Sequence, residues 1–183
     1  SVQNGCITGE FKKLSTPADD FTSTQYNTLN DKGAVYYTPV DASGSTDTGR
    51  VIHSVTSSTY GEFIDNVFDL DSFINALQVA LYNVLTGQVS KLPQTPAGQQ
   101  ALIGAAKQVG QNYINNGYLG DRKFTSTLTG EEMISEGYEM LTEATDILDI
   151  SASDRAERKS APLLMELYPA NAIHKVEVTL DVY

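Results

Sequence analysis

Residues 69–85, DLDSFINALQVALYNVL, decide the fold class. Leu70, Phe73, Ile74, Leu77, Ala80, Leu81, Val84 and Leu85 recur at spacings of three and four, with Asp71, Asn75, Gln78 and Asn83 on other faces. That is the period of an amphipathic helix with one wide buried face. Asp69 and Asp71 lie where carboxylates favour the helix dipole, and Gly87 is placed to end a helix over 69–86.

Working outward, Thr95-Pro96 opens a second helix, expected over 96–116, with a capping hydroxyl followed by proline at the first helical position. Its stripe is Leu102, Ile103, Ala106, Val109, Tyr113 and Ile114, and Gly117 is its stop. Upstream, Thr22 and Gln25 form a capping box, Phe21 and Tyr26 take the two positions of a hydrophobic staple, and Gly33 ends that helix.

Ala34–Thr38 reads as a strand ended by Pro39. DASGSTDTG, residues 41–49, reads as a solvent loop, and the β-branched run Arg50–Thr56 as the next strand. Residues 118–130 are loop-like. Residues 131–157 hold nine carboxylates against Arg155 alone, the pattern of a solvated acidic face. Ser151 or Ser153 can cap a short helix reaching Lys159, and Leu163–Tyr168 reads as a strand.

From Ile173 to Tyr183, Val176, Val178, Leu180 and Val182 alternate with Lys175, Glu177, Thr179 and Asp181, the clearest strand pattern in the chain. The expected fold is α+β: a mixed β-sheet of strands near 34–38, 51–56, 163–168 and 173–183, with two long amphipathic helices packed on it. Residues 1–20 are expected to be an N-terminal extension and 21–183 the domain.

Composition bounds the chemistry. The 183 residues are 40% hydrophobic and 19% charged, a globular balance with enough length for a core. Twelve Lys and Arg against 23 Asp and Glu give a formal charge of −11, so the averaged surface repels nucleic acid and anionic membranes. Cys6 is the only cysteine, which excludes an internal disulfide and a cysteine-based zinc site. No apolar run approaches the roughly 20 residues a membrane span needs.

No nucleotide-binding glycine loop and no GxSxG occur. The histidines, His53 and His174, lie apart in expected strands, where ordinary hydrogen bonding beside a sheet is the favoured reading. Asp65, Asp69 and Asp71 run into a helix instead of around a glycine turn, so dipole compensation is favoured over a cation site. Glu136 and Glu139 could serve as a hydrolase pair, but no Trp is present for sugar stacking, and an acidic face is the plainer reading. We expect no catalytic residues, metal or cofactor.

Two features point to contact with other proteins. Arg155, Arg158 and Lys159 gather cations on one short helix of an acidic chain. The terminal strand, with Val176, Val178, Leu180 and Val182 on one face, suits pairing with another chain's sheet.

The order of features resembles the C-terminal part of contractile tail sheath proteins of bacteriophages. The resemblance is carried by Leu29–Val40, Arg50-Val51-Ile52-His53, and Tyr60–Asp65 leading into Leu70–Ile74. It continues through KLPQTPAGQQAL at 91–102, NNGYLG at 115–120, GYEML at 137–141, DRAERKSAP at 154–162 and NAIHKVEVTLDVY at 171–183. Pro169-Ala170-Asn171-Ala172 departs from the family's usual Ala-Gly before the last strand.

The resemblance implies a structural subunit, without catalytic residues, stacked in a helical lattice around a tail tube. Terminal arms of neighbouring subunits extend each sheet, and contraction drives the tube through the host envelope. Implied partners are other sheath subunits, the tube protein and the baseplate. The implied location is the virion, after assembly in the host bacterial cytoplasm. It also implies that the chain is a piece of a longer subunit. A small acidic hydrolase and a baseplate component are the alternatives.

Overall fold

The computed structural model describes residues 6–42, 45–52, 55–56 and 62–180. His53 and Val182 lie outside the described residues. In chain order the elements are α1 (Ser23–Asp31), β1 (Tyr36–Ala42), β2 (Ser45–Ile52), α2 (Ile64–Thr86), α3 (Pro96–Asn115), β3 (Arg122–Thr125), β4 (Glu132–Ser135) and β5 (Tyr138–Met140), then a 3-10 helix (Ala144–Leu148), α4 (Ala152–Ala156) and β6 (Met165–Leu167). They form two compact units, one of Ser1–Cys6 and Asp69–Ala170, the other of Ile7–Phe68 and Asn171–Tyr183.

The unit built on residues 7–68 begins with a fully formed capping box. The Thr22 N–H donates to Gln25 Oε1 at 3.0 Å, and the Gln25 N–H donates to Thr22 Oγ1 at 3.4 Å. The two staple residues meet through a third ring, since Phe21 and Tyr26 both pack edge-on against Tyr36, at 5.7 and 5.5 Å between centroids. Tyr36 is buried, its hydroxyl donates to Asn30 Oδ1 at 2.8 Å, and burial holds that hydroxyl well above its ordinary pKa.

β1 and β2 form an antiparallel hairpin whose register shifts between Thr38 and Val40, where Pro39 cannot donate to the ladder. Of the expected solvent loop over 41–49, the described residues 41–42 and 45–49 instead belong to this hairpin's strands, with Asp41 opposite Thr46 and Ala42 opposite Ser45. A backbone ladder needs no apolar side chains, so composition missed it. Residues 11, 12 and 19 bond along the hairpin: the Phe11 N–H donates to the Val51 carbonyl, the Val51 N–H to Lys12, and the Asp19 N–H to Tyr37.

The other unit is centred on Phe73, Val109, Tyr118 and Leu119. Tyr113 lies edge-on to Phe73 at 5.1 Å and to Tyr118 at 6.0 Å. α3 starts as expected, with the Thr95 hydroxyl accepting from the Gly98 N–H at 3.5 Å and Pro96 in its first turn. Gly110 marks where the β5–β6 pair lies against α3, because a Cβ there would fall 2.5 Å from Tyr138 Cε1.

α2 starts at Ile64, earlier than the carboxylates indicated, so Asp65 occupies its first turn. Asp69 therefore is not a dipole residue. It is buried, and the Cys6 thiol donates to its Oδ2 at 2.6 Å. Nor does α2 bury all its apolar residues on one face. Phe73, Ala76, Leu77 and Ala80 turn to the core, whereas Leu70, Ile74 and Leu85 are exposed.

The α+β class holds, but the mixed sheet does not. The described strands form three two-stranded antiparallel sheets, β1–β2, β3–β4 and β5–β6. The strands expected near 34–38 and 51–56 pair with each other. The one near 163–168 pairs with β5, which sits in the acidic stretch. Residues 171–180 are neither helix nor strand. Alternation specifies which face a strand buries and leaves its partner open.

Candidate interaction surface

α4 is set by Ser151, whose hydroxyl oxygen accepts from the Asp154 N–H at 3.0 Å. The three cations expected to act together are separated by the local geometry. Arg155 Nη2 donates to the Ile147 and Leu148 carbonyls at 3.0 and 3.4 Å, satisfying the open end of the 3-10 helix. Lys159 Nζ lies 3.0 Å from Asp154 Oδ1 and 2.7 Å from Glu157 Oε2. Glu157 and then Asp154 hold the ammonium above its ordinary pKa; the Ser151 hydroxyl and then Lys159 hold the Asp154 carboxyl below its own. Arg158 differs from both. Its backbone turns left-handed at φ 60°, and it makes no ion pair among the described residues.

Three side chains, one on α3 and two in connecting segments, hold the stretch that follows. Gln94 Nε2 donates to the Lys159 carbonyl at 2.7 Å. Gln99, buried on α3, makes two bonds to one residue: its Nε2 donates to the Ala161 carbonyl and its Oε1 accepts from the Ala161 N–H, both at 3.2 Å. The Thr142 hydroxyl donates to the Pro162 carbonyl at 2.9 Å and accepts from the Leu164 N–H at 2.7 Å. An irregular backbone is thus satisfied by a polar frame and fixed in place. Beside it runs a groove of about 270 Å³ lined by Leu81, Leu85, Leu102 and Leu163, with Arg158 among its walls.

The sequence reading missed this frame, although one signal was present. Gln99 lies three and four residues before Leu102 and Ile103, in phase with the buried stripe of α3. A polar residue in that phase needs buried partners.

Among the described residues, the side-chain bonds of the terminal segment lie at its start. Asn66 Nδ2 donates to Asn171 Oδ1 at 3.1 Å. His174 Nε2 lies 3.2 Å from Thr8 Oγ1, with the rings of Phe11 and Phe63 edge-on at 6.2 and 5.0 Å. Beyond it Val176, Val178 and Leu180 are 80, 74 and 83% exposed.

Glu136 and Glu139 both line one cavity of about 440 Å³, and Glu139 stands opposite Glu166 in the β5–β6 pair. Glu139 Oε1 accepts from the Ser126 hydroxyl at 2.7 Å, and Glu136 is exposed. Among the described residues no three His, Cys, Asp or Glu side chains come together as metal ligands. No helix among them is long and apolar enough to cross a membrane.

A family model described as E217 tail sheath protein gp31-like, C-terminal domain, matches residues 64–182. Comparison with curated proteins gives no match. The family match spans both long helices, the polar frame and the terminal segment; Leu29–Val40 and Arg50-Val51-Ile52-His53, also part of the expected resemblance, lie outside it.

Proposed function

The chain belongs to the phage tail sheath family, with residues 64–182 as its C-terminal domain, and from that premise we propose how it makes its contacts. The family is structural, its members are virion components, and they assemble with other sheath subunits. We propose that this chain contributes sheath-to-sheath contacts through Val176, Val178, Leu180 and Val182, and a sheath-to-tube contact through the segment carrying Arg155, Arg158 and Lys159. In this reading Arg158 carries the contact charge, Arg155 positions the segment, and Lys159 is largely neutralised by its two carboxylates.

The observation that carries the reading is the terminal segment, an alternating apolar stretch exposed beyond its anchor at His174. An extended chain gains main-chain hydrogen bonds when it finds an edge, and its alternate side chains set the register. Repeated over a lattice, modest contacts of this kind add up through effective concentration. Contraction of the lattice against tube and baseplate, with genome delivery as its result, completes the proposed role, and assembly takes place in the host cytoplasm.

Negative-stain microscopy of the chain in its full-length protein tests the reading. Striated tubes, with or without a tail tube inside, are the expected result. The variant Val178→Asp with Leu180→Asp should form none. Normal tubes from that variant remove the terminal segment from the lattice, and coating of tail tubes by Arg158→Glu as well as by the parent removes the tube contact.

A further inference from the structure

Across 171–180 only His174 is half-buried, and side chains from two distant parts of the sequence meet it. Its Nε2 lies 3.2 Å from Thr8 Oγ1, and the rings of Phe11 and Phe63 stand edge-on to its own. The Thr8 oxygen also accepts from the Glu10 N–H at 3.2 Å, so the hydroxyl is itself held in place. Three residues before His174, Asn171 accepts from Asn66 in the first turn of α2, a second tether. All of these residues belong to the unit built on 7–68 and 171–183.

The strain of this arrangement shows at Phe11. Its backbone is left-handed at φ 60°, a conformation that bulky residues rarely adopt. Neighbours hold it there: the Phe11 N–H donates to the Val51 carbonyl at 2.8 Å, and the Phe11 carbonyl accepts from Arg50 Nη1 at 3.2 Å. Strain persists where the surroundings fix it, and it gathers at positions that have a task. Burial does not account for this ring, because Phe11 is 48% exposed, and its ring-to-ring contact is with His174. Thr8, Phe11 and Phe63 lie outside the residues 64–182 that match the family, so the clamp ties the last segment of the family domain to chain that precedes that domain.

We propose that His174 is a positioning residue: clamped by Thr8, Phe11 and Phe63, it fixes where residues 175–180 leave the body and in which direction, so that their apolar face reaches a neighbouring subunit already aimed. The inference rests on the reading that this segment enters the lattice. A tethered segment with a fixed root searches a smaller volume, which raises its effective concentration at the neighbour and lowers the entropy lost on docking. Freeing the root at 171–174 spreads the same segment over many directions. The concentration at which tubes form should then rise about tenfold or more.

Tube formation by the full-length protein, followed against concentration, tests this together with spin-label distances within the chain. With Cys6→Ser in the background, labels at Thr24→Cys on α1 and Lys175→Cys should give a narrow distance distribution in the parent and a broad one in His174→Ala. Moving the second label to Thr179→Cys should give a broad distribution in both. His174→Ala should need about tenfold or more protein to form tubes. Thr8→Val and His174→Phe each remove the hydrogen bond and keep the bulk, so each should raise that concentration about twofold to tenfold, and the two together no further than Thr8→Val alone. These two variants keep the test decisive should His174→Ala fail to fold. A parent distribution as broad at 175 as at 179, effects of the pair that multiply, or tubes from His174→Ala at the parent's concentration while Val178→Asp with Leu180→Asp forms none, each overturns the clamp and leaves the lattice reading standing. Tubes from that last double variant at the parent's concentration remove the lattice reading, and the clamp's role with it.

Discussion

The stretches 157–164 and 171–180 are alike in secondary structure, being neither helix nor strand, and opposite in how they are held. In the first, Gln94, Gln99 and Thr142 bond the main chain at Lys159, Ala161, Pro162 and Leu164, and Arg155 ties α4 to the turn before it. In the second, Asn171 and His174 are anchored by side chains, and among the described residues no main-chain hydrogen bond joins 171–180 to the rest. Irregular backbone is rigid when other elements supply its donors and acceptors. When none do, it is left for a partner to complete.

The largest effect should come from breaking the frame. Gln99→Leu keeps the volume on α3 but strands the N–H and carbonyl of Ala161, a residue only 1% exposed. Two buried groups without partners cost about 1–3 kcal/mol each, so the variant should lose about 2–6 kcal/mol in chemical denaturation. Hydrogen exchange at 158–164 should rise toward the level of 175–180. Unchanged stability and exchange would make the frame incidental, and the contrast between the two stretches would lose its cause.

How far this was legible follows from the range of each interaction. The Thr22–Gln25 box and the Thr95-Pro96 start are complete within four residues, so sequence alone places α1 and α3. The strand pairing of 41–42 with 45–46 was missed because it lies in the backbone, and β5 because three residues in an acidic stretch carry too short a pattern. Arg155, Arg158 and Lys159 are neighbours in sequence, yet their roles diverge through Ile147, Asp154 and Glu157 and through the left-handed turn at Arg158. The alternation at 176–180 is plain in the sequence. Its lack of a partner within the described fold is a fact of three dimensions.

A smaller effect should follow from pH. The Asp154 carboxyl is held below its ordinary value by Ser151 and Lys159, so its stabilisation is full above the unfolded value of about 4 and is lost as pH falls through the lower folded value. Lys159 is held above its ordinary value, so its share is full below about 10.4 and is lost as pH rises through the raised value. Both groups are exposed, so the change should be local. Protection at 157–160, the exchange rate relative to that of an unstructured chain at the same pH, should fall at the acid and alkaline extremes while the melting temperature follows the rest of the chain. Unchanged protection across both windows would leave the Asp154–Lys159 pair without a part in ordering the turn.

The smallest effect on stability should come from the terminal segment, and its smallness is what makes the contrast sharp. Val178 and Leu180 bury little, so replacing both by Asp removes almost no apolar contact from the fold. Surface changes of this kind usually stay within about 0.5 kcal/mol. An added proline would act in the same way, because among the described residues no main-chain hydrogen bond at 175–180 exists for it to break. The double variant should therefore melt with the parent. A loss of several degrees would mean that the segment folds back on its own chain in solution, and its alternating valines and leucine would then belong to this fold instead of to a neighbour's. An unchanged melt together with lost assembly would assign the segment's apolar face wholly to the contact between chains.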